Sequence, residues 1–233
     1  MSFRFKQFYI DDTTCSMKVG TDGVLIGAWT ALPEQSNAKV LDIGTGSGLI
    51  ALMIAQRMPT ARITAIDISS EATATAHRNF EATNWKERLT SLNIRLQDMP
   101  QDEQYELIIS NPPYFKDSLK APDKSRSLAR HTDTLSYHHI ISYSAKHLSD
   151  DGILSLILPA EEEHGSIDEA FNYRLFPQHI CRVCTSPSKP PKRVMICFSK
   201  TIVEQPIIET LELIGGDGSR SEKYRALTED FYL

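Results

Sequence analysis

The chain has 233 residues, a length that suits one α/β domain with a modest extension better than two independent domains. Hydrophobic residues make up 41% and charged residues 24% of it, a balance that indicates a soluble globular protein rather than a disordered or fibrous one. The net charge of −5 argues against a surface coated in positive charge for indiscriminate nucleic-acid binding, although it is compatible with a local basic surface.

The N-terminus and the cysteines predict an ordinary cytoplasmic location. No apolar run reaches the roughly 18 to 20 residues that span a bilayer, and residues 1–6 lack the apolar region of a signal peptide. Four cysteines are too few and too unevenly placed for a disulfide framework. Cys181 and Cys184 have C-x-x-C spacing but lie in a strand-like run, which favours buried thiols over a metal site. We therefore expect no bound metal and no membrane contact.

The first 36 residues predict an attachment to the domain. Apolar residues at 3, 5, 8 and 10 indicate a short strand or hairpin that ends in the turn-prone residues 11–14. Thr21 or Asp22 can cap a short apolar helix that stops at Pro33. This helix either packs on the sheet edge or covers a ligand, and the residues leave both interpretations open.

Residues 40–49 form an apolar run that breaks into three glycines spaced two apart and then starts a helix. A strand, a turn without side chains and an immediate helix are typical of a mononucleotide site, because backbone N–H groups can approach the ligand there. The helix, 49–58, is apolar nearly all round and is ended by Pro59. The G-x-G-x-G spacing disfavours NAD, whose fingerprint places the third glycine one residue later.

Polar residues follow the next three predicted strands. The strand 62–67 ends in Asp67, 19 residues beyond Gly48, where a carboxylate can accept hydrogen bonds from ribose hydroxyls. Ser69 or Ser70 caps a helix through about Asn84, and a strand at 92–96 ends at Gln97 and Asp98. The strand 105–110 leads into Asn111-Pro112-Pro113-Tyr114. A rigid turn would explain two prolines, but four polar residues at successive strand tips favour a functional edge.

The remaining chain completes the sheet. The predicted elements are a helix over 137–148, a strand over 152–158, a helix over 168–173, an antiparallel strand pair at 180–183 and 194–198, and an amphipathic helix over 224–231. We expect one domain, 1–233, with an N-terminal extension (1–36), a catalytic core (37–201) and a C-terminal extension (202–233).

These residues resemble a known family, the class I S-adenosylmethionine-dependent methyltransferases, in the branch that methylates planar nitrogen atoms. The resemblance rests on 42–48, Asp67, Asp98 and 111–114. More narrowly, residues 17–23, 27–29, 129–132 and 224–233 look like those of the YfiC-like tRNA(Val) adenine-N6 methyltransferases. The resemblance implies a Rossmann-like α/β fold, with a seven-stranded, mostly parallel sheet, helices on both faces and an antiparallel last strand.

The resemblance also implies the cofactor, S-adenosyl-L-methionine, and its site. The methionine part would lie over a loop that includes Asp42, Gly44 and Gly46, and Asp67 would bind the ribose. Asp98 would bind the adenine amino group, and residues from Lys18 to Thr21 would close the site. Asn111, which follows the fourth strand, would lie between cofactor and acceptor.

The chemistry of an exocyclic amine explains the Asn-Pro-Pro-Tyr loop. The lone pair of such an amine is delocalised into the ring of the base, so the nitrogen is planar and a poor nucleophile. If the Asn111 side-chain carbonyl and the Pro112 backbone carbonyl accept its two hydrogens, the lone pair can point at the sulfonium methyl. Tyr114 would stack on the target ring.

The implied substrate is an unstacked adenine next to the anticodon of a valine tRNA. Two basic segments in this acidic chain, 116–131 and 182–200, are candidates for phosphate contacts, and they include Lys116, Arg126, Arg130, Lys192 and Arg193. The alternative is that the two segments are solvated, lysine-rich loops without a role in binding. His131 stands where close relatives have Tyr, which leaves its contact with the substrate open. We expect a monomer.

Two alternatives remain at this point. A glutamine N5 methyltransferase acting on a peptide release factor also carries Asn-Pro-Pro-Tyr, but the 39 residues before Val40 are too few for the helical N-terminal domain that such enzymes share. A non-catalytic module that binds S-adenosylmethionine and RNA is expected to have a damaged loop, and the loop here is intact.

Overall fold

The protein is described by a computed structural model that covers residues 2–13, 18–113 and 135–233. In chain order its strands are β1 (Ser2–Arg4), β2 (Tyr9–Asp11), β3 (Lys39–Ile43), β4 (Arg62–Asp67), β5 (Leu89–Asn93), β6 (Tyr105–Ser110), β7 (Leu148–Pro159), β8 (Phe176–Cys184), β9 (Pro191–Ser199) and β10 (Ile207–Glu212). Its α-helices are α1 (Thr21–Trp29), α2 (Leu49–Arg57), α3 (Ser70–Glu81), α4 (Tyr137–His147), α5 (Glu163–Asn172) and α6 (Glu222–Thr228).

The strands form one large sheet and one hairpin. β1 and β2 pair antiparallel, as the aromatic pattern at the start of the chain predicts. The other eight strands lie in the order β10, β8, β9, β7, β6, β3, β4, β5. Every neighbouring pair in this sheet is parallel except the two that contain β9, which runs antiparallel to β7 and β8. The predicted α/β class and mostly parallel sheet are confirmed.

The prediction of seven strands is wrong by one. The eighth, β10, pairs parallel with β8 at the edge of the sheet, so the antiparallel strand is not the last in the chain. Ile207 and Ile208 are both more than half exposed, and only Leu211 of this strand is buried. Because β10 lacks the alternation of buried and exposed side chains, its sequence does not indicate a strand.

Several element boundaries also differ from the prediction by a few residues. The third core strand covers 89–93 instead of 92–96, because Leu89 is buried while Leu92 is 39% exposed. The helix predicted from 168 begins at Glu163, and the helix that Ser69 caps ends at Glu81 rather than near Asn84. Of these shifts, the first matters most, because it moves the tip of β5.

Apolar side chains pack on both faces of the sheet. Val40 on β3 and Leu107 on β6 belong to a cluster with residues of α1, α2 and α3, whereas Leu41 and Ile108 belong to a second cluster with residues of α4 and α5. This alternation places helices on both faces, as predicted. None of the described helices is long and apolar enough to cross a membrane.

Candidate active site at the carboxyl edge of the sheet

The glycine loop between β3 and α2 depends on backbone conformations that favour glycine. Gly44, Gly46 and Gly48 have φ values of 73°, 57° and 85°. A Cβ on Gly48 would lie 2.5 Å from Cε1 of Phe80, so this glycine lets α3 pack against the loop. A Cβ on Gly46 would meet no atom of the described residues within 4 Å, so among these residues the loop has open space above it here. That is where a ligand could approach the backbone closely.

Backbone hydrogen bonds hold the loop against β4. The N–H groups of Gly44 and Thr45 both donate to the carbonyl of Ile66, at 2.9 and 3.0 Å. The N–H of Gly46 donates to Oδ2 of Asp67 at 3.0 Å. The loop and the predicted ribose-binding carboxylate therefore form one connected unit.

Asp42 lies beneath the loop and is fully buried. Its Oδ2 accepts a hydrogen bond of 2.6 Å from the hydroxyl of Thr45, a residue that the sequence analysis missed. Burial raises the pKa of Asp42 to about 7; the Thr45 hydroxyl and the Ala51 N–H oppose this shift, and the charge of Asp67 adds to it. Asp42 thus supports the loop from below, and its buried carboxyl group has a pKa near neutral pH.

Asp67 ends β4 with a half-buried carboxylate, at the position that the sequence predicts. Its Oδ1 accepts from the N–H of Ser69 at 2.9 Å. Asn93, at the end of β5, donates from Nδ2 to the carbonyls of Asp67 and Ile68 at 3.0 and 2.9 Å. Asn93 lies inside the predicted strand 92–96, so its contacts at the strand tip are not evident from the sequence. Ile68 is 60% exposed beside this carboxylate and offers an apolar surface to a flat ring.

Asp98 does not end a strand, contrary to the prediction. It lies in a single 3₁₀ turn, Leu96–Asp98, beyond the end of β5. Nε and Nη2 of Arg95 donate to the two carboxylate oxygens at 2.7 and 3.1 Å, and these bonds hold the pKa of Asp98 below its ordinary value. Each carboxylate oxygen has two lone pairs, so Asp98 can still accept a hydrogen bond from a ligand.

The tip of β6 lies beside the tip of β3. Ile43 is the register partner of Ser110, and the Ser110 hydroxyl donates to the Ile43 carbonyl at 2.7 Å. Asn111 and Pro112 follow directly, half-buried and buried respectively. The structure thus brings the start of the Asn-Pro-Pro loop next to the glycine loop, as predicted for the carboxyl ends of parallel strands.

The N-terminal segment is attached to the same edge through Asn79 of α3. Its side-chain amide donates to the Ser47 carbonyl at 2.8 Å and exchanges hydrogen bonds of 3.0 and 3.1 Å with the backbone of Asp11. Lys18 Nζ donates to the carbonyls of Asp12 and Thr13, and Thr21 is the exposed first residue of α1. Lys18 precedes α1 and Thr21 begins it. The described hydrogen bonds of the Lys18 ammonium group are to backbone carbonyls of the N-terminal segment.

Most cations of the second basic segment have internal partners. Arg193 pairs with Asp22 at 2.8 Å, Arg182 forms a two-pronged ion pair with the buried Glu163, and Lys200 donates to the carbonyl of Leu148. In the part of the chain that the structure describes, this segment leaves two exposed lysines without an acidic partner, Lys189 and Lys192. The predicted residues Tyr114, Lys116, Arg126, Arg130 and His131 lie outside the described residues.

A polar cavity of about 480 Å³ lies at the opposite, amino edge of the sheet. It is lined by residues 35–39 and 101–104, by Glu106 and by Lys146. Lys39 and Glu103 within it pair with one another at 2.7 Å. This cavity contains none of the predicted site residues, so its size alone does not make it the functional site.

The carboxyl edge fits a nucleoside cofactor chemically. The Asp67 carboxylate could accept hydrogen bonds from ribose hydroxyls, the exposed side chain of Ile68 could pack on a base, and the space at Gly46 could take a bulky group. The expected cofactor is cationic at sulfur, and the half-buried carboxylate of Asp67 suits that charge.

Comparisons with known proteins agree with this chemistry. The family model "Methyltransferase small domain" matches residues 24–174. A tRNA1(Val) (adenine(37)-N6)-methyltransferase from Parabacteroides distasonis is 44% identical, with 99% of this chain and 97% of that protein covered. One of the same name from Photobacterium profundum is 42% identical over 99% and 98%. A solved structure of a predicted O-methyltransferase from Agrobacterium tumefaciens superposes with a TM-score of 0.71 at 18% identity, covering 90% of this chain and 96% of that one, and shows the shared class I fold.

Alanine at two glycines of the loop separates folding from ligand binding. Gly48→Ala should lower the free energy of unfolding by about 2 to 4 kcal/mol, because it adds backbone strain and a clash with Phe80. Gly46→Ala should cost only about 1 to 2 kcal/mol, since it meets open space. Its methyl group should nevertheless weaken S-adenosylmethionine binding in calorimetric titration. Equal affinities of Gly46→Ala and wild type would contradict the assignment of the cradle.

The raised pKa of Asp42 predicts a pH dependence of stability. An aspartate in the unfolded chain titrates near pH 4, whereas the pKa of folded Asp42 is about 7, so between these values the folded state holds the extra proton. The free energy of unfolding should therefore fall by at least about 1 kcal/mol as the pH rises from 5 to 8. Urea unfolding of wild type and Asp42→Asn at both pH values measures this, and the variant should lack that part of the decrease. An identical pH dependence in both proteins would argue against a buried, titrating Asp42.

Proposed function

This chain belongs to the methyltransferase small domain family and, within it, to the tRNA1(Val) (adenine(37)-N6)-methyltransferases, and we propose that it methylates the N6 amino group of an adenine in tRNA. Its cofactor is S-adenosyl-L-methionine. The names of its relatives favour an adenine next to the anticodon of a valine tRNA. The single observation that carries the proposal is the intact Asn111-Pro112 sequence at the tip of β6, held beside the glycine loop at the tip of β3.

Asn111 and Pro112 would orient the acceptor amine. The side-chain carbonyl of Asn111 and the backbone carbonyl of Pro112 would accept hydrogen bonds from the two N–H groups of the amine. These hydrogen bonds would free the nitrogen lone pair from the ring. With Asn111 and Pro112 holding the amine in this way, the lone pair would be free to bond to the methyl group that the cofactor supplies. The electrons of the S–C bond would stay on sulfur, and the proton that becomes acidic would leave to water. No strong base is needed before attack, so positioning is the main contribution, worth on the order of 7 to 11 kcal/mol.

Residues in the loops that follow β3, β4 and β5 would hold the cofactor, which supplies a methyl group on a positively charged sulfur. Asp67 would accept hydrogen bonds from the ribose hydroxyls while it keeps the Gly46 N–H. The Asp98 carboxylate is ionised and half exposed, which suits the adenine amino group. Lys18 and Thr21 would close the site from the N-terminal side. To contact the cofactor, the Lys18 ammonium group would have to leave the carbonyls of Asp12 and Thr13.

The tRNA would approach the same edge of the sheet. Because β8 runs in the direction of β7, the hairpin between β8 and β9, which carries Lys189 and Lys192, also lies at the carboxyl edge. Lys192 is a better candidate for a phosphate contact than Arg193, whose guanidinium already pairs with Asp22. Tyr114, Lys116, Arg126, Arg130 and His131 remain proposed substrate contacts by resemblance alone.

The proposal also covers the location, the oligomeric state and the domain organisation of the protein. We place the protein in the cytoplasm, where tRNA is modified, and describe it as a monomer. Residues 1–233 would act as one domain, to which 1–36 and 202–233 are extensions. The hydrogen bonds that join Lys6 to the C-terminal segment and Asn79 to Asp11 support a single unit.

Methyl transfer to total tRNA tests the activity. Wild-type protein with labelled S-adenosylmethionine should place label in N6-methyladenosine after digestion to nucleosides. Asn111→Ala should lower kcat by at least about 100-fold, because the amine loses one of its two orienting acceptors. Cofactor affinity measured by calorimetry should change far less.

The same assay with a peptide release factor as acceptor covers the runner-up activity. Label only on that protein would contradict tRNA methylation. Label on neither substrate, with normal cofactor binding, would instead support a non-catalytic binding module.

The two exposed lysines of the β8–β9 hairpin should contribute to tRNA affinity. Lys189→Gln combined with Lys192→Gln should make the negative slope of log affinity against log salt shallower by about 1 to 2. The control pair, Lys86→Gln with Lys146→Gln, removes the same charge from the amino edge and should leave the slope unchanged. Fluorescence titrations at several salt concentrations measure both. Equal slopes for the two double variants would place the tRNA elsewhere.

A further inference from the structure

The loops that would hold the methyl donor and the methyl acceptor start from neighbouring residues. The glycine loop starts after Ile43, and the Asn-Pro-Pro loop starts after Ser110. These two residues are the last register pair of β3 and β6. Beyond this pair the two chains leave the sheet, so the regular ladder of backbone hydrogen bonds no longer fixes their separation.

A side chain adds a connection at this point. The Ser110 hydroxyl donates to the Ile43 carbonyl at 2.7 Å, and both residues are at most 1% exposed. The hydrogen bond therefore joins the residue directly before Gly44 to the residue directly before Asn111. Because water does not reach it, it is not exchanged for a solvent contact.

We infer that Ser110 is a positioning residue for methyl transfer, which fixes the acceptor loop relative to the donor loop through its hydrogen bond to Ile43. The inference rests on the proposed function. In-line displacement requires reacting atoms about 3 to 3.5 Å apart, and a displacement of 1 Å can cost about 100-fold in rate. Since neither Ile43 nor Ser110 has to touch cofactor or substrate, the effect should fall on the rate of transfer and spare binding.

The neighbouring strand provides a matched control. Ser155 of β7 is also fully buried and is the register partner of Ile109, one residue before Ser110. Its hydroxyl lies 3.4 Å from Sγ of Cys197, within the sheet and away from both loops. A serine that serves only packing should behave like Ser155.

The test compares Ser110→Ala, Ser110→Cys and Ser155→Ala with wild type. Thermal melting establishes that each variant folds, and calorimetric titration with S-adenosylmethionine gives the cofactor affinity. Initial rates on total tRNA give kcat and KM. Ser110→Ala should lower kcat about 10- to 100-fold while cofactor Kd and tRNA KM stay within about threefold. Ser110→Cys, which keeps the shape of the side chain but is slightly larger and a weak donor, should show most of this loss. Ser155→Ala should keep kcat within about twofold.

The outcomes separate this inference from the proposed function. Equal kcat in Ser110→Ala and wild type, full recovery in Ser110→Cys, or an equal loss in Ser155→Ala would overturn the positioning role. If wild type labels a release factor instead of tRNA, the proposed substrate is wrong and the same variants are compared on that protein. If wild type labels neither acceptor, both the proposed function and the positioning role fail.

Discussion

Parallel pairing of β3 with both β4 and β6 is the constraint on which the site depends. It places Asp42, Asp67 and Asn111 at one edge of the sheet although 69 residues separate the first from the last. Positive φ angles at the glycines then let the chain turn into α2 without side chains over the edge. Two further hydrogen bonds, from Gly46 to Asp67 and from Ser110 to Ile43, connect the three strand tips.

This arrangement suits a reaction that needs alignment more than acid or base strength. An amine that gains a methyl group before it loses its proton needs no general base to activate it for attack. The buried Asp42 carries the raised pKa of the site, but it lies beneath the loop and bonds to Thr45. Its place favours support of the loop over proton transfer to a substrate.

Residue spacing and hydrophobic patterns in the sequence predicted most of the strands and helices and three features of the candidate site. The glycine loop, Asp67 and the Asn-Pro-Pro sequence follow from spacing and from the geometry of parallel strands. The strand β10 was missed because its isoleucines are exposed, and Asn93 and Thr45 were missed because their roles arise from contacts that the folded chain creates. Charge counting also overrated the second basic segment, since Asp22 and Glu163, which neutralise Arg193 and Arg182, are distant in sequence.

Hydrogen exchange with and without S-adenosylmethionine tests the central claim, that the carboxyl edge of the sheet holds the cofactor beside the acceptor loop. Saturating cofactor should slow amide exchange in peptides that cover 42–48 and 66–70, and also at Asn111, while residues 35–39 and 101–106 at the polar cavity stay unchanged. Protection confined to the amino-edge cavity, or its absence from the glycine loop, would contradict the account.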